Sequence, residues 1–268
     1  MSHTLSIFLL AVGLFAGMLV MLEIGRCVGV RRLKAEGAVS VEGFGAVDGA
    51  VFAMLGLLIA FTFSGASTRF DARRQLIVEE TNNIGTAYLR LDLLPHAAQE
   101  PLREKFREYL DTRIVIYEKF PDVILAKDDL LKSAQLQTQI WRDSVAASRA
   151  EGASLDAPIL LLPALNAMFD ITTTQMMATR MHPPVIVFIM LFGLALAASL
   201  LAGYGMVGSK VLSRFHMVGF ALVMAVSVYV IMDVEYPRLG LIQVDAFDQA
   251  LIDLRQSMTR QLPAPGQR

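Results

Sequence analysis

From Gly49 to Thr68 the chain reads GAVFAMLGLLIAFTFSGAST, uncharged throughout, and it continues with no Gly or Pro cluster into the polar stretch RFDARRQLIVEETNNIGTAYLRL. A helix needs about 20 apolar residues to cross a hydrocarbon core ~30 Å thick. The pattern therefore predicts a membrane span that runs on as one rod into water. Three further segments share the apolar character, at about Leu5–Leu22, Val185–Ser209 and Phe215–Met232. Together they predict four spans arranged as two helical hairpins. The first segment lacks a basic leader and an obvious small-residue cleavage site, so it is expected to stay in place as a helix.

Between the hairpins the pattern changes to helical amphipathicity, punctuated by Pro95, Pro101, Pro121, Pro158 and Pro163. From Glu100 to Phe120, Leu102, Phe106, Tyr109, Leu110, Ile114 and Tyr117 share one stripe, which predicts a helix packed on a partner. A second rod is predicted from about Asp128 to Arg149. The apolar run Pro158–Ile171 is too short for a span and holds Pro163, Asn166 and Asp170, so it predicts a buried bundle helix reaching Arg180. The loop Glu36–Gly45 and the tail Leu262–Arg268 have linker-like composition. The expected fold class is an all-α membrane protein. Its divisions are a hairpin with a basic connecting loop (1–68), an inserted extramembrane helical bundle (69–184), a second hairpin (185–233) and an amphipathic C-terminal segment (234–268) with a capped helix starting near Asp245.

Small residues recur every three or four positions along the second span, at Gly45, Gly49, Ala53, Gly56, Ala60 and Ser64. Such a thin stripe suits either close helix packing or a symmetric ring around a narrow hole. Ala53, Leu57 and Phe61, spaced by four, would stack apolar collars around a ring axis, and a hydrophobic collar gates by dewetting. The candidate pore-lining residues are therefore Gly49, Ala53, Gly56, Leu57, Phe61 and Ser64. Arg69, Arg73 and Arg74 follow at the mouth, where they would draw anions into a vestibule or anchor the helix at the interface.

Charge and chemistry narrow the function. Net charge is −1 and no basic stripe with interleaved aromatics is present, which sets nucleic acid aside. The single cysteine, Cys27, excludes an intramolecular disulfide framework and a multi-cysteine zinc site. The chain carries no Walker loop, HExxH or GxSxG, and His3, His96, His182 and His216 lack ligand spacing, so no enzyme is expected. Glu79 and Glu80 project about 100° apart on a helix and do not form a facing acid–base dyad. Glu80 with Asn83 is read instead as a polar packing layer, and Asp71 with Arg74 as a helix-surface pair. No span carries an ionisable group at its centre, which disfavours coupled transport and leaves passive conduction. After span four, Asp233, Glu235, Asp245 and Asp248 cluster near a Pro–Gly turn and form a candidate divalent-cation site, although a capped helix explains Asp248 without metal. Six basic residues in the short connections against five on the other side give a slight lean toward a periplasmic bundle.

Four stretches together resemble the bestrophin-like domain family of bacterial membrane proteins: LLIAFTFSGASTRFDARRQLIVEETNNIGTAYLRLDLLP, LLPALNAMFD, HPPVIVFIMLFGLALAASLLAGY and MDVEYPRLGLIQV. AFTFSGASTRFDARRQL is also similar, more distantly, to the pore helix of bestrophins proper. That resemblance implies a homopentameric channel in a bacterial inner membrane, usually passing anions such as chloride, with a neck at Ala53, Leu57 and Phe61. Bestrophins build a calcium clasp after a Pro–Phe–Gly turn. This chain has Pro237–Arg238–Leu239–Gly240 there and departs from the pattern. The expected partners are the lipid bilayer, small inorganic ions and further copies of the chain. The rival expectation is a non-conducting membrane scaffold or sensor whose bundle docks partner proteins. A membrane enzyme with a metal or substrate site around Asp233–Asp248 is a third.

Overall fold

The computed structural model describes residues 3–36, 45–120, 122, 124–207, 214–236 and 245–260. The elements are α1 (His3–Glu36), α2 (Gly45–Leu89) with a 3-10 turn at Arg90–Leu93, α3 (His96–Lys119), α4 (Lys127–Ser148), α5 (Ala157–Arg180), α6 (Val185–Gly205), α7 (Arg214–Glu235) and α8 (Asp245–Arg260). The stretches long and apolar enough to cross a membrane lie in α1, α2, Ala157–Gly205 and α7. Within the third, α6 is uncharged from end to end and is the crossing helix. The fold is thus all-α, with four long apolar helices flanking an inserted helical region.

Local chemistry explains the boundaries. The second span and its polar extension form a single 45-residue helix, because nothing between Gly49 and Leu89 breaks it. It ends where Leu94 turns extended ahead of Pro95, as a residue before proline favours. Pro158 sits in the first turn of α5, where its missing N–H costs nothing. Helix α1 is the main departure from expectation. It does not stop near Leu22 but continues through Arg26, Cys27, Arg31, Arg32 and Lys34, so the basic connecting loop is mostly helix. Arg is a strong helix former, Glu23 and Arg26 pair at 2.9 Å, and Lys34 meets the negative end of the helix dipole. The loop after Glu36 and the tail after Arg260 lie outside the described residues, as does the Pro237–Arg238–Leu239–Gly240 turn.

The chain divides into two compact units. One comprises Met1–Phe70 and His182–Ile242, the other Asp71–Met181 and Gln243–Arg268, so that α2 contributes to both. In the first unit Leu14, Met18 and Leu22 of α1 are buried with Leu191, Ala195 and Ala198 of α6 and Met217, Ala221 and Val228 of α7. Two glycines set the α1–α6 approach: a Cβ at Gly25 would overlap the Leu200 carbonyl, and one at Gly203 would overlap the Leu22 carbonyl. Close backbone contact of this kind is how helices gain dispersion contacts where lipid removes the hydrophobic drive. Hydroxyls inside the spans bond back to their own helix, as Ser199 to Ala195 O at 2.8 Å and Thr62 to Leu58 O at 2.7 Å.

The second unit is a helical bundle with its own core, in which Ile84, Tyr88, Phe106, Leu110, Ile140, Leu161, Leu165 and Leu251 are buried. A polar network is enclosed in it. Glu80 is fully buried. Its Oε1 accepts from Arg113 Nε at 2.5 Å, and its Oε2 from Tyr117 OH at 2.6 Å and Gln175 Nε2 at 2.8 Å. Gln175 Oε1 in turn accepts from Arg113 Nη2 at 2.8 Å, which links α2, α3 and α5. Burial alone would lower the Arg113 pKa, but the Glu80 carboxylate reverses this and holds the guanidinium above its ordinary range. Asn83 donates to Ala167 O of α5 at 3.3 Å and Asp71 pairs with Arg74 at 3.1 Å, the roles read from the sequence for both. Helix α8 lies against α3, where Arg255 Nε and Nη2 reach Asp111 at 2.7 and 3.0 Å.

Candidate functional site

Within the membrane unit, α2 is unlike the other apolar helices. Only 6% of its apolar window is buried, against 44% for α7. Leu55 and Ala66 turn inward, while the opposite face stays open. That open face carries Gly49, Ala53, Gly56, Leu57, Phe61 and Ser64, all exposed, with Leu57 at 56% and Phe61 at 66% exposure. All six sequence-derived pore candidates therefore share one uncovered surface. A Cβ at Gly49 or Gly56 would meet nothing within 4 Å inside the chain, in contrast to Gly25 and Gly203.

The three candidate mouth arginines are each engaged. Arg69 grips Glu235 of α7 with Nε at 3.0 and 3.1 Å and Nη2 at 2.6 Å. Gly65, one turn earlier, leaves room for this pose: a Cβ there would stand 3.3 Å from Arg69 Nη1. Arg73 donates to the last carbonyls of α5, Ala178 O at 3.2 Å and Met181 O at 2.8 Å, where the helix dipole favours a cation. Arg74 pairs with Asp71. The Glu235 carboxylate is almost fully enclosed, and it also meets His182 Nδ1 at 3.0 Å. The His182 ring stacks on Tyr236 at 4.6 Å between centroids. Beside this cluster, Leu58, Phe61, Thr62, Val187 and Phe188 line a cavity of about 290 Å³.

The arrangement bears on the candidate cation site. Asp233 and Glu235 are both buried, but Glu235 has both oxygens on Arg69, which neutralises the charge a divalent cation would need. The side chains of Asp245 and Asp248 lie outside the described residues. Among the described residues no group of three or more His, Cys, Asp or Glu is placed to hold a metal. Sequence reasoning singled out both Arg69 and Glu235 without pairing them. The available signal was that a carboxylate at a span edge needs a cation, and that the arginines lie at the edge of another span.

Residues 12–246 match the model of the bestrophin-like domain. The chain belongs to the bestrophin-like domain family. Its fold is similar to that of a bacterial bestrophin homologue from Klebsiella pneumoniae, seen in crystal structures of three single-substitution variants. The first is 14% identical, with a TM-score of 0.73, 96% of this chain covered and 99% of that one. The other two are each 13% identical, with TM-scores of 0.71, and cover 94 and 93% of this chain and 99% of the homologue. No curated protein matches in sequence. This bestrophin-like chain is a multi-pass membrane protein, and its family places it among channel or transport proteins of the membrane.

Proposed function

We propose that the protein is an oligomeric ion channel in which α2 from each copy lines one axial path through the membrane, with a homopentamer as the ring and Ala53, Leu57 and Phe61 as its narrow neck. One observation carries this reading: the α2 span leaves its apolar, small-residue face almost wholly uncovered within its own chain. A face built only for lipid gains nothing from glycines, whereas a ring needs thin positions between its collars so that neighbouring helices approach. Four spans in one chain cannot easily enclose water, so the path calls for several copies. Membership of the bestrophin-like family and likeness in fold to a bestrophin homologue support the same reading. The preference for anions expected at sequence level drew on Arg69, Arg73 and Arg74. With all three engaged inside the chain, the path is assigned to small ions, and their sign is taken up below.

The test is flux through liposomes containing the purified protein. Phe61→Ala and Leu57→Ala each remove an apolar collar and are expected to raise conductance severalfold or to leave the path permanently leaky. Unchanged flux in both variants would take α2 off the path.

A further inference from the structure

The open face of α2 does not end with the apolar residues. Glu79 follows Phe61 by 18 positions, five turns at about 3.6 residues each, so the two share one azimuth on the helix. By the same count Asp71 is in phase with Ala53, Gln75 with Leu57, and Asn82 with Ser64. All four of these later residues are exposed. The collar residues thus give way, along the same helix, to a polar lining.

The charges on that lining do not cancel. Arg74, in phase with Gly56, is ion-paired with Asp71, so the two offset each other. Arg69 and Arg73 are held by Glu235 and by the end of α5. Glu79 is exposed and has no ion-pair partner among the described residues, although its neighbour Glu80 is fully buried and bonded at both oxygens. The fold uses one carboxylate of the pair and leaves the other on the face that points the same way as Phe61. A fixed charge acts on a passing ion only within about 8 Å at physiological ionic strength. In a narrow path with low-dielectric walls, however, a ring of like charges raises the local concentration of counter-ions.

We propose that Glu79 sets the ion preference of this channel and that the preferred ions are cations. The proposal rests on the reading of α2 as the path-lining helix, and one experiment separates the two. In planar bilayers under an asymmetric KCl gradient, wild-type protein is expected to show a reversal potential on the potassium side. Glu79→Gln should reduce the potassium-to-chloride permeability ratio severalfold, and Glu79→Lys should move the reversal potential to the chloride side, both variants eluting as the wild-type oligomer does. A wild-type reversal potential on the chloride side would overturn the proposal. So would an unmoved potential in both Glu79 variants while Phe61→Ala still alters conductance, and the path-lining reading would then stand. Absence of current in both wild type and Phe61→Ala would overturn the path-lining reading and, with it, the cation assignment.

Discussion

At the residue scale, two adjacent glutamates lead to opposite predictions. Glu80 neutralises a buried Arg113, and removing one member of such a pair leaves an uncompensated charge in the core. Glu80→Ala is expected to cost about 3–5 kcal/mol, seen as a large fall in melting temperature of the detergent-solubilised protein. Glu79→Ala is expected to stay within about 0.5 kcal/mol of wild type in the same assay. Titration gives a second prediction, with a sign at each end of the pH range. Lys105 hydrogen-bonds Asp143 and holds its carboxyl below the usual range, so that pair's contribution is complete above the ordinary carboxylate pKa and is lost as pH falls through the depressed value. Burial pushes Tyr109 up to about 12, so unfolded chains release this proton near pH ~10 while folded ones keep it. Stability should therefore fall as pH rises from about 10 toward 12. Melting temperatures recorded across pH check both arms, and Tyr109→Phe should flatten the alkaline one.

At the scale of elements, the glycines divide into two classes that look alike in sequence. Gly25 and Gly203 sit at the α1–α6 contact, where an added methyl meets a carbonyl, while Gly49 and Gly56 face open space. Gly203→Val is expected to disrupt the protomer itself, lowering yield and melting temperature. Gly56→Leu should leave the protomer folded but impair assembly, read as a shift from ring to smaller species on size-exclusion chromatography. Retention of the wild-type oligomer by Gly56→Leu would count against close approach at that face. The same contrast explains what the sequence could convey. Periodicity located every long helix, and the Gly49–Ser64 stripe was visible because its spacing is local. The continuation of α1 past Leu22 was hidden, since Arg26, Arg31 and Arg32 suit a loop and a helix end equally well. The contacts joining Arg69 to Glu235 and Arg113 to Glu80 span 166 and 33 positions, and no local pattern specifies which distant cation a carboxylate will meet.

For the whole molecule, the number of copies is the decisive quantity. Native mass spectrometry of the purified complex should give a closed ring, with five copies expected; a monomer or two-fold dimer would remove the shared axis and leave the membrane scaffold as the better account. The two units also predict separable failures. Lesions in the Glu80 network should melt the bundle, whereas Phe61→Ala and Leu57→Ala should change flux at unaltered stability.

The packing of α1 has a consequence for how the chain is made. Its partners are α6 and α7, and the Arg32–Tyr204 hydrogen bond at that contact joins positions 172 apart. At ~5–20 residues per second, the ribosome needs roughly 10–30 s to supply them. The first helix to enter the bilayer thus waits through most of synthesis with its glycine-lined face against lipid or the insertion machinery, and the α1–α6 contact closes only once translation is nearly over.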